Sequence, residues 1–348
     1  MLKAVLVGLG DFGRRWFEVC GRHGEVALVG LVALSEASRA RAASEWGAPR
    51  DRLFGSLEQA LERTRPDFVL DVTPPSAHRS VALTAFAAGV SVLGEKPLSD
   101  DADAAREIAA AGQRAGCLHM VAQQQRFAPQ PRITRRLIEG GEIGEPGQVD
   151  VAFFVPWADK PGTHYVTEPY MFLLDMSCHH FDTMRYVLSS DALAARVISW
   201  NLPWGWHAGD ASHVALFEFP NAVRAIHRGT GCSNGKKTSW SGDWRIEGPR
   251  GSITWEDGRV FVTQDHRVAS PRRREIAPDG SGPEGQAAVL AEFVAALRAG
   301  REPECSGRDN LGTVAMTFAA VESARLGRRV EIGRSLGQPP GRPDVRPA

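Results

Sequence analysis

The chain has 348 residues, enough for two domains, each with a sizeable core. Its 41 lysines and arginines balance 41 aspartates and glutamates, so no overall charge draws it to nucleic acid or to an anionic membrane. Five scattered cysteines with no Cys-x-x-Cys spacing suit a reducing cytosol rather than a disulfide framework or a structural zinc, and the longest apolar run, Val26 to Leu34, is too short to span a bilayer.

The amino terminus runs straight into a strand pattern, Lys3 to Val7, which leaves no room for a signal peptide. Gly8-Leu9-Gly10-Asp11-Phe12-Gly13 follows, with a helix expected over Arg14 to Arg22. Strand, glycine turn and helix in that order are the setting a dinucleotide fingerprint requires. Gly8 permits the tight turn, Gly10 lets a pyrophosphate approach the backbone, and Gly13 lets the helix pack on the strand. The second strand is expected over Val26 to Leu34, where an acidic tip would hold the adenosine ribose of NAD. Here the chain reads Leu34-Ser35-Glu36-Ala37-Ser38-Arg39. Ser35, Ser38 and Arg39 can hydrogen-bond a 2′-phosphate, Glu36 is the one nearby carboxylate, and the balance points to NADP ahead of NAD.

Helices are expected over Arg39 to Trp46 and Leu57 to Thr64, and a buried strand over Pro66 to Thr73, which opens the rigid turn Thr73-Pro74-Pro75-Ser76-Ala77-His78. A helix leads from there to the short strand Val90 to Leu93, which ends on Gly94-Glu95-Lys96-Pro97. Proline fixes its own φ and pushes Lys96 out of the α region. The ammonium is thereby held in extended backbone at the carboxyl end of a parallel sheet, where open α/β sheets bind ligands. A helix from Asp101 to Ala115, capped by Ser99 or Asp100, and a strand from Cys117 to Ala122 lead to Gln123-Gln124-Gln125-Arg126-Phe127-Ala128-Pro129. The resulting fold class is α/β: an N-terminal Rossmann doubly wound parallel sheet over 1–125, a C-terminal α+β domain on a large, mainly antiparallel open sheet over 126–332, and a disordered tail over 333–348.

In the second domain a helix is expected over Ile133 to Glu139 and a strand over Gly147 to Phe154, followed by an irregular aromatic loop containing Trp157 and Tyr165. Leu174 to Leu188 reads as a helix with Asp175, His179, Asp182 and Tyr186 on one face and Phe181, Met184 and Leu188 opposite. His180 points about 100° from His179 on such a helix, so the pair cannot share one ion and no metal site is expected. From Ala194 to Thr263 the text is β-rich, with turn residues between short strands and six tryptophans from Trp200 to Trp255. Arg272-Arg273-Arg274 reads as a solvated hairpin tip, Gln286 to Ala299 and Arg308 to Leu326 as helices, and Val330 to Ile332 as a closing strand. An antiparallel sheet with helices on one side and an apolar, tryptophan-bearing open face implies a homodimer or homotetramer.

The pieces Gly8-x-Gly10-x-x-Gly13, Thr73-Pro74-Pro75-x-x-His78, Glu95-Lys96-Pro97, Arg126-Phe127-x-Pro129 and Asp175-x-x-x-His179-x-x-Asp182 make the chain resemble the glucose–fructose oxidoreductase, inositol dehydrogenase and rhizopine catabolism protein (Gfo/Idh/MocA) family. It departs from that pattern at Gln124, where an asparagine is frequent, and at Pro169 to Leu174, where many members carry a double glycine. The resemblance implies that Lys96 binds or deprotonates the reacting hydroxyl, that His179 transfers protons, and that Asp175 holds substrate hydroxyls. Candidate cofactor contacts are Gly8, Gly10, Asp11, Phe12, Gly13, Ser35, Arg39, Thr73, Pro74, His78, Glu95, Lys96 and Gln124. Candidate substrate contacts are Lys96, Arg126, Trp157, Tyr165, Asp175 and His179. A lysine facing a positively charged nicotinamide and partly cut off from water has its pKa lowered, which suits a base. The expected activity is an NAD(P)-dependent oxidoreductase acting on a sugar, cyclitol or related polyhydroxy compound. Its rivals are a non-catalytic cofactor-binding regulator and an NAD-assisted lyase or glycosidase.

Overall fold

The computed structural model describes residues 1–157, 166, 168–264, 272–278, 280 and 282–335. They fall into two compact units, one of residues 1–127 and 282–311 and the other of residues 128–281 and 312–348. The expected second domain is therefore not one continuous stretch. Residues 282–311 return to the first unit because helix α8 (Gly285–Ala299) carries an apolar face that the Rossmann sheet buries. Phe293 is fully buried there, edge-on to Phe68 with ring centroids 5.2 Å apart. Of the expected tail, Ile332–Ser335 is a short helix, and 336–348 lies outside the described residues.

The first unit holds six parallel strands: β1 (Leu2–Val7), β2 (Val26–Val32), β3 (Leu53–Phe54), β4 (Phe68–Asp71), β5 (Ser91–Gly94) and β6 (His119–Val121), in the order 3-2-1-4-5-6. β4 is buried along its whole length, which is why Phe68 to Asp71 reads as a run rather than an alternation. The order reverses between β1 and β4, and the crevice at the strand ends there is the ligand position of this architecture. Helices α1 (Asp11–Arg22), α2 (Glu36–Glu45), α3 (Leu57–Thr64), α4 (Pro75–Ala87) and α5 (Ala102–Ala115) connect the strands. Ser35, Ser56 and Asp101 cap three of them by accepting the backbone N–H of Ser38, Gln59 and Ala104. Capping explains two shifts from expectation. α2 starts at Glu36 rather than Arg39, and the cap of α5 is Asp101, whose own N–H is held by Ser99 Oγ at 3.2 Å. β3 escaped the sequence reading because two residues carry no period.

The second unit is built on nine strands: β7 (Gln148–Phe154), β8 (Ala194–Trp200), β9 (Ser212–Glu218), β10 (Arg224–Thr230), β11 (Asp243–Gly248), β12 (Gly251–Glu256), β13 (Arg259–Gln264), β14 (Arg272–Ile276) and β15 (Val330–Glu331). Their order is 14-13-12-11-7-10-9-8-15, and among the described residues only the β7–β10 pair is parallel. Helices α6 (Pro129–Glu139), α7 (Cys178–Leu188) and the end of α9 (Gly307–Leu326) cover one face. Val149, Val151, Phe217, Trp244, Ile246 and Trp255 project into that core, with the two indoles stacked at 4.5 Å. On the opposite face Ile198 pairs in register with Val214, and Ile198, Val214 and Trp200 are 66%, 39% and 40% exposed. Arginine 196 and Arg228 flank them, so this face mixes apolar and basic residues. The basic run Arg272–Arg274 is not a hairpin tip but an edge strand, with Arg273 paired to Glu256 and Arg274 to Glu142. Among the described residues no helix is long and apolar enough to cross a membrane.

Phe293→Ala should lower the unfolding free energy by about 3–5 kcal/mol, the usual cost of emptying a buried aromatic site. Urea denaturation checks this, and a loss below about 1 kcal/mol would contradict the assignment of α8 to the first unit's core.

Candidate active site

β1 ends at Gly8, whose N–H donates to the Val32 carbonyl at 2.9 Å. Its φ of +102° and the 2.5 Å that would separate a Cβ from the Val72 carbonyl oxygen restrict the position to glycine. A Cβ on Gly13 would run into the Gly8 carbonyl, so that glycine is also demanded by the fold. Gly10 differs: it is exposed, and nothing lies within 4 Å of where its Cβ would stand. The bare backbone there opens α1, with Asp11 and Phe12 exposed in its first turn, and the N–H groups of a helix start suit an anionic phosphate. These residues fit a dinucleotide.

At the tip of β2, Ser35 spends its oxygen as the α2 cap. Arg39 turns one guanidinium nitrogen back to the carbonyls of Ala33 and Leu34, at 2.6 and 2.9 Å. Arg41, which the sequence reading passed over, donates to the Leu9 carbonyl inside the glycine loop at 3.0 Å. Arg39 is thus fixed at the tip of β2 and Arg41 at the glycine loop.

The tips of β4 and β5 form the lip. Asp71 is 1% exposed and accepts both the N–H and the hydroxyl of Thr73, at 3.0 and 2.6 Å. Burial pushes its carboxyl up from the ordinary range, opposed by the charge of His78 and by those two donors. Glu95 accepts the Trp16 indole N–H at 2.7 Å, the Lys96 amide at 3.2 Å and the Gln286 amide at 3.4 Å. The Lys96–Pro97 peptide is cis, and the Pro97 carbonyl faces His78 Nδ1 at 2.9 Å, while His78 Nε2 faces the Thr73 carbonyl at 2.9 Å. Lys96 therefore sits between two residues that are each tied down. Two expected ligands change role. His78 is 4% exposed with both ring nitrogens on backbone carbonyls, so it braces the lip instead of reaching a cofactor. Arg126, also 4% exposed, donates to the Glu304 carbonyl and pairs with Asp309 at 3.1 Å, an internal tie in place of an open substrate ligand. Pro74 caps α4 at the exposed lip, and Gln124 opens a 3-10 turn, half-buried.

In the second unit the expected helix begins as a π-helical turn, Phe172–Ser177, closed by Ser177 Oγ donating to the Phe172 carbonyl at 2.8 Å. A wider turn removes the regular i, i+4 relation between Asp175, half-buried in it, and His179, buried in the first turn of α7. Nor does α7 have a solvated polar face, since every residue from Cys178 to Val187 is buried. Asp182 accepts the Thr313 hydroxyl at 2.8 Å, and the same hydroxyl accepts from Arg185 at 2.9 Å. Tyr186 takes Arg132 on its hydroxyl at 2.9 Å. These are structural partners. Trp157 is buried with its carbonyl on the Trp206 indole, and Tyr165 lies outside the described residues.

Behind α7 runs an imidazole chain that sequence reasoning missed. His180 Nε2 faces the Trp240 carbonyl at 3.0 Å, His180 Nδ1 faces His227 Nε2 at 2.8 Å, and His227 Nδ1 faces His213 Nε2 at 2.8 Å. A carbonyl only accepts, so neutral rings must each carry their proton on Nε2, which leaves the buried His213 Nδ1 a lone pair without a partner. Burial pushes His180 down to about 4 and His213 to about 3, with His180 adding to the latter, and pushes His227 well below its ordinary value.

Two family models cover this geometry: an oxidoreductase family with an NAD-binding Rossmann fold over residues 2–123, and a Gfo/Idh/MocA C-terminal domain over residues 132–254. The chain belongs to the Gfo/Idh/MocA oxidoreductase family. It is 28% identical over 355 residues to D-apiose dehydrogenase of Paraburkholderia graminis, covering 95% of this chain and 89% of that one. It is 26% identical over 339 residues to inositol 2-dehydrogenase of Rhizobium meliloti, covering 94% and 98%. The fold matches an oxidoreductase of Agrobacterium radiobacter, solved with NAD+, L-tartaric acid and magnesium, with a TM-score of 0.85 at 23% identity over 96% and 99% of the two chains. In this Gfo/Idh/MocA member the residues invisible to motif reading are Trp16, Asp71, Gln286 and the histidine chain. Asp71 alone had a local signal, a carboxylate two residues before a threonine at a strand end.

The histidine chain makes a pH prediction. Folded values below the unfolded value near 6.5 mean that the unfolded chain takes up protons the folded chain refuses. Stability should be unaffected by these rings above about pH 7 and fall as pH drops from about 6.5 toward 4, with a slope of about 1.4 kcal/mol per pH unit for each ring. Urea unfolding at pH 7.5 and pH 5 tests it: His213→Leu should show a shallower slope than wild type, and equal slopes would contradict the neutral-chain assignment.

Proposed function

We propose that the protein is an NAD(P)-dependent dehydrogenase or reductase that moves a hydride between the nicotinamide and a secondary alcohol or ketone of a sugar, cyclitol or related polyhydroxy compound. The observation that carries this is the fixed lysine: Lys96 stands at the carboxyl end of β5 between Glu95 and Pro97, both anchored, in a domain whose glycine loop leaves open backbone for a pyrophosphate. The relatives named apiose and inositol dehydrogenases support the substrate class. When bound, the nicotinamide supplies the hydride donor or acceptor. Gly8, Gly10, Gly13 and the first turn of α1, with Asp11 and Phe12, would hold the pyrophosphate, and Thr73, Pro74, Glu95 and Gln124 would shape the nicotinamide end. The family resemblance assigns Lys96 to the hydroxyl proton, His179 to proton transfer and Asp175 to substrate hydroxyls. Five free cysteines support a cytosolic setting, where thiols stay reduced.

Lys96→Ala should lower turnover by about 10²–10⁴, the contribution of a positioned acid–base group, with cofactor affinity nearly unchanged. Lys96→Arg should not restore it, because a guanidinium cannot accept the proton. Wild-type turnover in Lys96→Ala would sink the mechanism, and loss of cofactor binding would move Lys96 into the cofactor pocket.

Arg39, Ser35 and Ser38 at the tip of β2, with no aspartate there, favour NADP. Each charge-assisted contact to a 2′-phosphate is worth about 1.5–3 kcal/mol, so NADP should bind roughly 10-fold or more tightly than NAD in a fluorescence titration. NAD binding equal or tighter at low salt would overturn the preference.

The uncovered face of the nine-stranded sheet, centred on Ile198, Val214 and Trp200, is the surface on which copies of the chain pair as a homodimer or homotetramer. Light scattering should give a multiple of the chain mass that falls to the monomer in Ile198→Asp, and a monomeric wild type at micromolar concentration would refute the pairing.

A further inference from the structure

We infer that Trp206 is a stacking platform, beside Asp175, for the C–H face of a cyclic substrate, a pyranose or a cyclitol. The inference rests on the reading of Asp175 as a holder of substrate hydroxyls, and it narrows the substrate from any polyhydroxy compound to a ring.

The platform stands at one end of the nine-stranded sheet. Phe154, Thr230, Ser212 and Trp200 pair in one row across β7, β10, β9 and β8, and the loop 201–211 lies beyond that row. Internal bonds hold the loop. Asn201 donates its side-chain amide to the His207 carbonyl at 2.7 Å and accepts the Leu202 N–H at 3.0 Å, while the Gly205 N–H donates to the Leu202 carbonyl at 2.8 Å. A Cβ on Gly205 would stand 2.3 Å from the Asn201 side-chain oxygen, so the turn just before Trp206 closes around a glycine.

Trp206 is fixed at its edge and on one face. Its indole N–H donates to the Trp157 carbonyl at 2.8 Å, and its ring stacks on His207 with centroids 3.8 Å apart and planes inclined by 26°. Trp206 is half-buried, and among the described residues no second ring covers its other face. Trp157, expected from the sequence to touch substrate, is buried and serves as the anchor of this indole. A tryptophan whose N–H is spent inside the protein offers a ligand an apolar, electron-rich face. A pyranose or cyclitol gathers C–H groups on one side of its ring and fits such a face, whereas an open-chain polyol has no fixed apolar side.

A shared core sets the position beside Asp175. Phe153, Trp157, Met171 and Phe172 belong to one small apolar cluster, with the half-buried Met176 and Trp206 packed against it. Phe172 opens the π-turn that carries Asp175 and Met176, and it stacks on Phe153 at 5.2 Å. A carboxylate for hydroxyls and an indole face for C–H groups, mounted on one cluster, match the two kinds of surface on a sugar ring.

The test uses the full chain labelled with 5-fluorotryptophan, whose nine tryptophans give nine 19F signals, the Trp206 signal being the one missing in Trp206→Phe. Myo-inositol, methyl glucopyranoside and methyl xylopyranoside are titrated at millimolar concentrations with each nicotinamide cofactor present, against glucitol and xylitol as open-chain counterparts. At least one ring should shift the Trp206 signal, and the open-chain polyols should leave it in place. On a ring that the wild type turns over, Trp206→Leu should raise KM about 10-fold with kcat within about twofold, as expected when one buried apolar contact made equally in ground and transition states is lost. Trp206→Phe keeps an aromatic face and should stay within about threefold of the wild-type KM. A shifted Trp206 signal with no cofactor conversion supports the platform and contradicts the proposed hydride transfer. A Trp206 signal that no ring moves, that open-chain polyols move equally, or that moves only on dilution of the protein, as at an interface between copies, overturns the platform even if Trp206→Leu fails to fold. A normal KM in Trp206→Leu on a ring substrate overturns it too, and leaves the hydride transfer standing.

Discussion

The lip of the parallel sheet is held by polar groups that have left water and must find every partner inside the protein. Asp71 and His78 are buried, and the half-buried Glu95 gathers three partners. Its carboxylate draws in an indole from α1, an amide from α8 and the N–H of the residue beside it. Together those contacts constrain the three elements to one another. The return of 282–311 to the first unit is one side of that constraint, since Gln286 belongs to the segment and Phe293 of the same helix closes the apolar layer beneath. The packing of α8 and the lip that carries Lys96 are coupled here through the Glu95 side chain.

The second unit solves the same problem with neutral groups. α7 is buried from Cys178 to Val187, yet it carries two histidines, His179 and His180, besides Asp182 and Arg185. Its internal polar groups are spent on a strand, a loop and α9: His180 on His227 and the Trp240 carbonyl, Asp182 and Arg185 on Thr313. A helix pinned at so many points has little freedom to rotate, and the residues that precede it in the π-turn inherit that fixity. Asp175 and His179 thus stand at the junction of the π-turn and α7, next to these ties.

Much of this was legible in the chain. Periodicity and glycine spacing located the parallel strands, their helices and the Glu95-Lys96-Pro97 turn, because each depends on short-range rules. What escaped depends on distance in sequence or on the surroundings of a side chain. Nothing near Gln286 signals Glu95, and nothing near His213 signals His180, because strands far apart in the chain bring them together. Helical periodicity placed Asp175 and His179 on one face, but a π-turn obeys a different count, and no residue type announces it. His78 and Arg126 were read as ligands from their motifs. Burial turned both into braces, since a polar group that loses water takes the nearest internal partner. Capping moved the start of α2 for a similar local reason, the oxygen of Ser35 accepting a free N–H.

The account stands on hydride transfer at an alcohol carbon beside the open glycine loop. The most direct measurement presents the wild-type protein, with each nicotinamide cofactor, with a panel of sugars, cyclitols and their keto forms, and follows nicotinamide absorbance together with product mass. The account predicts that one polyhydroxy compound is oxidised, or its ketone reduced, with one cofactor converted per substrate. Cleavage or elimination of the substrate with no net change in the cofactor, or tight cofactor binding with no turnover of any member of the panel, would contradict it.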